Sequence, residues 1–319
     1  MVTPLHPLLF TPDPRPMPWG GQRLASWLGM PDSGEPIGEA WLLSDHPRHA
    51  SVVAHGPLRG MTLAQLLAER APELVGRRCE RFPLLIKLLD AQENLSIQVH
   101  PDDLLARQWA PGEGGKTEAW IVLEAAPSSA IYLGLRPGID RAALERELHT
   151  GAVPLCLVRH EPRPGQCYFV PAGSVHALGG GTVVLEVQQT SDATFRLYDW
   201  GRVDAQGRPR PLHWEAGLAC LKEQPEGAGL QSPRTEASGA ELLVACRHFE
   251  LRRWTGPRTW EPSGPTLFVV EKGTMTLNDP TLGDLTLNRS QTVLIPAACD
   301  PPQAVLPTAG CAAIEIRWE

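Results

Sequence analysis

Lysine is scarce in this chain: of 29 basic residues only four are lysine, at 87, 116, 222 and 272, and the other 25 are arginine. A surplus of positive charge is lacking too, because 36 acidic residues leave a formal net charge of −7. That excludes the basic field with which nucleic-acid binders meet phosphate backbones. No stretch approaches the roughly 18 apolar residues of a membrane span. Prolines interrupt the start, MVTPLHPLLFTPDPRPMPWGG, where a secretion signal needs an apolar run. The seven cysteines, at 79, 156, 167, 220, 246, 299 and 311, are odd in number and form no CxxC pair. They read as reduced thiols, and the protein as cytoplasmic. Low-complexity tracts are also missing. With 42% hydrophobic and 20% charged residues over 319 positions, the chain can bury a sizeable core, and its length predicts two globular units.

What is present is a series of short apolar or alternating runs bounded by Gly and Pro. They include AWLLS (40–44), LSIQVH (95–100), EAWIVLEA (118–125), IYLGL (131–135), QCYFVPAG (166–173), TVVLEVQQ (182–189), TFRLYDW (194–200), LFVVEKGTMTL (267–277) and QTVLIPA (291–297). Runs of this length predict a mainly β protein built as sandwiches or barrels, with few helices. Helices are expected near 62–74, where Thr62 and Gln65 form a capping-box pair, near 102–109 with Asp102 as N-cap, and near 140–148. From 223 to 239 the apolar periodicity disappears into Gly, Pro, Ser and Glu. This divides the chain into a unit over 1–225, a linker over 226–239 and a second unit over 240–319.

One spacing occurs on both sides of that linker. Gly165-x5-Pro171-x-Gly173-x2-His176 suits a strand, a tight turn and a returning strand whose imidazole points inward, and it resembles the second motif of the cupin superfamily. Downstream, Pro296, Ala298 and Pro301 stand where Pro171, Gly173 and His176 stand in the first copy. The expectation is two cupin-type jelly-roll barrels, the second degenerate and metal-free.

Within LSIQVH, Ser96, Gln98 and His100 alternate with apolar residues and so share one strand face. After a loop over 112–115, read as flexible, Lys116 and Glu118 again lie two apart on one face. Gln98, His100, Glu118 and His176 together offer an amide oxygen, two imidazoles and a carboxylate. This set contains no cysteine and suits a catalytic Zn²⁺ with open positions. Glu186 sits in an apolar run, and Asp192, Arg196, Asp199 and Arg202 add charge nearby, either as ligand contacts or as solvated outer-face residues.

The segments FPLLIKLLDAQENLSIQVHPDD, GKTEAW, VPAGSVHALGGG and VLEVQQTSDATFRLYDWGR resemble the type I mannose-6-phosphate isomerases, zinc enzymes of the cupin class. The amino-terminal PMPWGGQRL and PIGEAWLLSDHPRHASVV, with Trp19, Gly20, Glu39, Trp41 and Ser44, extend the resemblance to residues 4–216. It implies one Zn²⁺ per chain, held by Gln98, His100, Glu118 and His176. Arg196 is implied as the active-site arginine and Lys116 as a lysine beside the metal. Ser96, Lys87 and Arg202 are implied near the substrate phosphate; Asp192, from the charge of its own segment, is taken as a further substrate contact. Arg202 departs from the pattern, since some members have lysine there.

The implied reaction interconverts mannose 6-phosphate and fructose 6-phosphate, moving a proton between C1 and C2 through an enediolate. Glu186, Lys116 and a metal-bound water are the alternatives for the base. The competing readings are a non-catalytic, metal-containing sugar-phosphate-binding cupin and an Fe(II) oxygenase, the latter disfavoured by the Gln and by the lack of an HxH-x3–4-E cluster. The expected partner is a small sugar phosphate, with no nucleic acid and no membrane, and the chain is expected to be a monomer or weak homo-oligomer.

Overall fold

The run LLIKLLDA forms a strand, Leu84–Ala91, that is buried at every position. A strand covered on both faces reads as a continuous apolar run rather than an alternating one, and two structures supply the cover. Leu84, Ile86 and Leu88 join one core, while Leu89 and Ala91 belong to another on the opposite face. The same holds for Thr182–Gln189, whose Val183, Leu185 and Val187 share the first core and whose Val184 shares the second. The computed structural model describes residues 4–31, 34–204, 206–280 and 283–318.

Both strands lie in a seven-stranded sheet in the order Gly229–Leu230, Cys167–Val170, Glu118–Ala125, Thr182–Gln189, Leu84–Ala91, Asp13–Gly21 and Ile37–Leu43. Its inner face packs on a five-stranded sheet ordered Leu157–His160, Ile131–Leu135, His176–Leu178, Ile97–Val99 and Phe195–Tyr198. Trp120, Val122 and Val184 meet Ile131, Leu133 and Leu178 between them. The outer face of the five-stranded sheet is covered by helices Arg141–Thr150 and Trp214–Cys220, through residues such as Leu144, Leu148 and Leu218.

A second pair of sheets follows. One is seven-stranded, ordered Leu8–Leu9, Thr292–Ile295, Thr266–Lys272, Ala312–Arg317, Glu250–Thr255, Glu241–Ala245 and Arg234–Thr235; the other is four-stranded, ordered Arg258–Trp260, Gln303–Leu306, Thr274–Asp279 and Gly283–Asn288. Phe268, Val270, Met275, Leu277 and Leu287 fill the space inside. The opposite faces, through Leu251, Leu267, Val269, Ile314 and Ile316, join the core shared with the first seven-stranded sheet and the helix Leu63–Val75.

The mainly β, jelly-roll expectation holds, with one correction: among the described residues the sheets do not close into barrels. Each half is a sandwich of two separate sheets, and short edge strands, two residues long at Leu8–Leu9, Gly229–Leu230 and Arg234–Thr235, end the hydrogen-bonding instead of continuing it around. The segment 226–239 contributes two of these strands, one to each half. Leu8–Leu9 crosses over to pair with Leu294 and Val293, a long-range contact with no local signal.

The three expected helices are Leu63–Val75, Asp103–Trp109 and Arg141–Thr150, capped by Thr62, Asp102 and Asp140. The capping box is complete: Thr62 accepts from the Gln65 backbone and Gln65 accepts from Thr62. Arg23–Trp27 and Trp214–Cys220 are further short helices.

Candidate metal centre and substrate cavity

Register places the polar residues of the first sandwich in two rows that face each other. On the seven-stranded sheet, Trp41 pairs with Lys87, Lys87 with Glu186, Glu186 with Trp120 and Trp120 with Tyr168. On the five-stranded sheet Gln98 stands opposite both His176 and Arg196. Side chains in register point to one face, so residues far apart in sequence are gathered into a single interior.

His100, Glu118 and His176 converge there, their ligand atoms all within 4.8 Å of one another. Each is at most 1% exposed. His100 Nδ1 lies 2.7 Å from the Ala193 carbonyl and His176 Nδ1 lies 3.0 Å from that of Ser174. A carbonyl only accepts, so each Nδ1 carries the proton and each Nε2 presents a lone pair to the interior, the arrangement that prepares an imidazole for a metal. Glu118 Oε1 is 3.3 Å from His176 Nε2 and Oε2 is 3.6 Å from His100 Nε2. Lys116 Nζ lies 2.6 Å from Oε2 as an ion pair, yet neither buried oxygen finds an aligned hydrogen-bond donor. Gln98 Nε2 is 3.4 Å from His176 Nε2, and its Oε1 accepts from Ser96 at 3.1 Å.

The turn bearing His176 is built as its spacing predicts. Gly165 and Gly173 take φ of +89° and +92°, and Gly173 N–H donates to the His100 carbonyl at 2.9 Å, tying one imidazole-bearing segment to the other. A Cβ at Gly173 would also lie 2.7 Å from Lys222 Cγ.

Electrostatics match a cation site. Burial raises the pKa of Glu118, and nearby Glu186 adds to this while Lys116 opposes it. Burial lowers His176 to about 3 and, with Lys116 and His176, holds His100 well below the ordinary imidazole value. A carboxylate without aligned donors beside two neutral imidazoles fits a borderline divalent ion, and the absence of thiols favours a catalytic over a structural site.

Beside this set lies a cavity of about 310 Å³. Gln98, Lys116 and Glu186 line it next to the metal ligands, and Arg48, Arg196 and Arg210 line it as well. Burial alone works against a charged Lys87, but Glu39 and Glu186 outweigh it and raise its pKa, so it stays an ammonium. For Glu186, burial is outweighed by Lys116 and Lys87, with help from the Trp120 indole 2.8 Å from Oε2, and the carboxylate is ionised.

Of the residues expected at the site, Ser96, Lys87, Asp192 and Arg196 also line this cavity. Arg202 does not line it. Its guanidinium donates to the Asn94 carbonyl at 2.6 Å and to Asp199 at 2.5 Å. Asp199, an open choice between site and surface from sequence, is 6% exposed and also takes a two-pronged pair from Arg210, at 2.8 and 2.5 Å. Arg48, paired with Asp192, and Arg210 were not anticipated. Both sit in polar Pro-containing stretches, DHPRH and RPRPL, that look like ordinary surface turns.

Hydrogen bonds tie residues 113–115 of the loop to its neighbours. Gly115 N–H donates to Asp103 at 2.9 Å, Ser191 donates to the Gly114 carbonyl at 2.8 Å and Glu113 accepts from the Asp192 backbone at 2.9 Å.

The catalytic-domain model of type I phosphomannose isomerases matches residues 11–119. The mannose-6-phosphate isomerase ManA of Bacillus subtilis is 35% identical over 269 residues, 83% of this chain and 84% of that protein. The chain belongs to this family. A crystal structure of the mannose 6-phosphate isomerase from Bacillus subtilis, 32% identical, superimposes with a TM-score of 0.87 over 98% of this chain and 99% of that one. A mannose 6-phosphate isomerase bound with zinc and yttrium shares the fold at 17% identity, with a TM-score of 0.76 over 98% of this chain and 99% of that chain. Within this phosphomannose isomerase chain all seven cysteines are free, and among the described residues no helix is long and apolar enough to cross a membrane.

Proposed function

We propose that this member of the phosphomannose isomerase family interconverts mannose 6-phosphate and fructose 6-phosphate, using one Zn²⁺ held by His100, Glu118 and His176, with Gln98 joining through its amide oxygen once the amide is turned over from the orientation that puts Nε2 toward His176. The observation that carries this reading is the adjacency of two sites: a three-residue donor set without thiols and a cavity lined by cations together with the carboxyl groups of Glu39, Glu186 and Asp192. A sugar phosphate needs both, one end for its reacting oxygens and one for its phosphate. The zinc in the fold relative supports the choice of metal. Bound there, zinc supplies Lewis acidity to the oxygens on C1 and C2.

The remaining chemistry belongs to the chain. Glu186, ionised and on the cavity wall, takes the proton from one carbon and returns it to the other. Lys116, between His100 and Glu118, serves the oxygens. Arg196 offsets the negative charge that grows as the enediolate forms. Lys87, kept charged by Glu39 and Glu186, holds Glu186 in its anionic form. At the phosphate, Arg210 and Arg48 take the contact expected of Arg202, because they line the cavity and Arg202 does not. Arg202 and Asp199 then brace Arg210.

We take residues 1–225 as the catalytic unit and 240–319 as its metal-free companion, joined by 226–239. A cytoplasmic location and a monomeric or weakly associated state complete the proposal. A coupled assay for fructose 6-phosphate formation together with elemental analysis tests it. Isomerase activity lost with chelator and restored by zinc is expected; sugar-phosphate binding without turnover in the zinc-loaded protein makes the chain a binding cupin instead.

A further inference from the structure

Arg48, one of the cations lining the isomerase cavity, sits on the turn of a small hairpin whose strands are Asp45–His46 and His49–Ala50. Its side chain is 63% exposed, and a long side chain on such a turn ordinarily samples many rotamers. Here it is pinned from two sides. The guanidinium pairs with the carboxylate of Asp192, which lines the same cavity. The backbone N–H donates to Nδ1 of His46 at 3.2 Å.

His46 is 2% exposed and stands edge-on to Trp41, with ring centroids 5.7 Å apart. Its own backbone is fixed as well, since its N–H donates to Ser44 Oγ at 3.0 Å and that hydroxyl donates to the His49 carbonyl at 2.9 Å. A backbone N–H only donates, so Nδ1 of His46 is the acceptor and Nε2 carries the proton. Nε2 lies 3.1 Å from both carboxylate oxygens of Glu113, and Oε2 of Glu113 accepts from the Asp192 backbone at 2.9 Å. These contacts close a ring that runs from the Arg48 backbone through His46, Glu113 and Asp192 to the Arg48 guanidinium. Arg48 and Asp192 are thus joined twice, once directly and once through two residues that do not line the cavity.

We propose that His46 is a positioning residue of the isomerase site, which together with Glu113 sets where the Arg48 guanidinium stands on the cavity wall and so how tightly the substrate's phosphate is held. The inference rests on the reading of this cavity as a sugar-phosphate site. A side chain ordered before the ligand arrives removes part of the ordering cost of binding. None of the four residues of the ring is among the converging metal donors, so losing His46 should fall on binding rather than on turnover.

The test combines steady-state kinetics on mannose 6-phosphate with calorimetric binding of inorganic phosphate, both on the zinc-loaded full chain. His46→Ala should raise KM and weaken phosphate binding by about 3- to 10-fold, the scale of immobilising one long side chain, with little change in kcat. Glu113→Ala reaches the same ring from a loop residue whose side chain is 18% exposed; it should act alike, and it keeps the test decisive if His46→Ala folds poorly. Arg48→Gln should raise KM at least as much. Adding His46→Ala to Arg48→Gln should then change KM little, because a residue that acts through Arg48 has nothing left to position. The proposal is overturned if Arg48→Gln, or both ring variants, bind phosphate like wild type, if His46→Ala lowers kcat as much as it raises KM, or if its effect is undiminished in the Arg48→Gln background. Phosphate binding is read without turnover, so a wild-type protein that binds phosphate through this ring but does not isomerise overturns the proposed reaction and not the role of His46.

Discussion

Lys116 stands against His100, its Nζ 2.9 Å from the imidazole Nε2 and 2.6 Å from Oε2 of Glu118. Because His100 gives its Nδ1 proton to the Ala193 carbonyl, the Nε2 lone pair is what the ammonium and a metal both seek. A divalent ion held by His100 and Glu118 would compete with that ammonium for the same two groups, and Lys116 also lines the cavity beside them.

Lys116→Met should therefore keep zinc at the wild-type level while kcat falls by about 10² or more, the usual scale for losing a proton-transfer group. Elemental analysis beside steady-state kinetics checks this. Zinc and activity lost together would make Lys116 a support for the ligands instead.

His176→Ala should lose zinc and activity together. The imidazole is fully buried, is fixed by Ser174 and supplies one of three converging donors, so nothing nearby replaces it. A variant that retained stoichiometric zinc would remove His176 from the ligand set. Pro301→Ala, at an exposed position of the second sandwich, should leave activity unchanged.

The metal-stripped protein should lose stability as pH falls from about 6.5 to 4.5. His100 and His176 are held neutral in the fold, their pKa values depressed by burial, so the unfolded chain binds two protons that the folded chain refuses. Glu118, raised by burial, does the opposite and binds a proton in the fold first. The net of one proton gives a slope of at most about 1.4 kcal/mol per pH unit. Glu118→Gln removes the opposing group, and the fall of Tm with pH should steepen. An unchanged slope would mean that Glu118 titrates alike in the folded and unfolded chains, and a flat Tm in Glu118→Gln would mean that the imidazoles do.

Much of this site was legible because its strands are buried on both faces. In TVVLEVQQ the one charged residue, Glu186, interrupts an apolar run and lines the cavity, where Lys87, implied by the family resemblance, stands beside it. That they are cross-strand partners was not legible, since register is set by contacts between segments about a hundred residues apart. Arg210 escaped for the same reason. Its partner Asp199 lies eleven positions away across a polar turn, and neither residue carries a local sign of burial. Arg202, nearer the recognisable motif, drew the expectation, while it is Arg210 that lines the cavity.

Arg210→Gln should raise KM for mannose 6-phosphate by about 10-fold or more, the value of one charge-assisted contact, with a smaller change in kcat. Arg202→Gln should act more weakly, through Asp199 alone. Inhibition by inorganic phosphate separates the two further, because only a direct contact weakens it strongly. Equal effects in both variants would mean that the cluster acts as one structural unit.

Arg196 offers the sharpest separation of chemistry from metal binding. It lines the cavity on the strand next to Gln98, yet it is not one of the converging metal donors. One Nη is given to the Pro211 carbonyl at 3.0 Å, while the buried Nε has no partner. Burial and the neighbouring Arg210 lower its pKa, but a guanidinium stays protonated at any working pH. In the proposed reaction it would act as a fixed donor whose contribution grows with the negative charge on the substrate oxygens, and charge is greatest in the enediolate-like transition state. Arg196→Ala should lower kcat by about 10²-fold or more, roughly 3 kcal/mol and typical of one lost oxyanion donor, with little change in KM and zinc at the wild-type level. Arg196→Lys, which keeps the charge but not the fork, should recover only part of the rate. If kcat is normal and only KM rises, Arg196 clamps the ground state; if zinc is lost, it supports the metal strand.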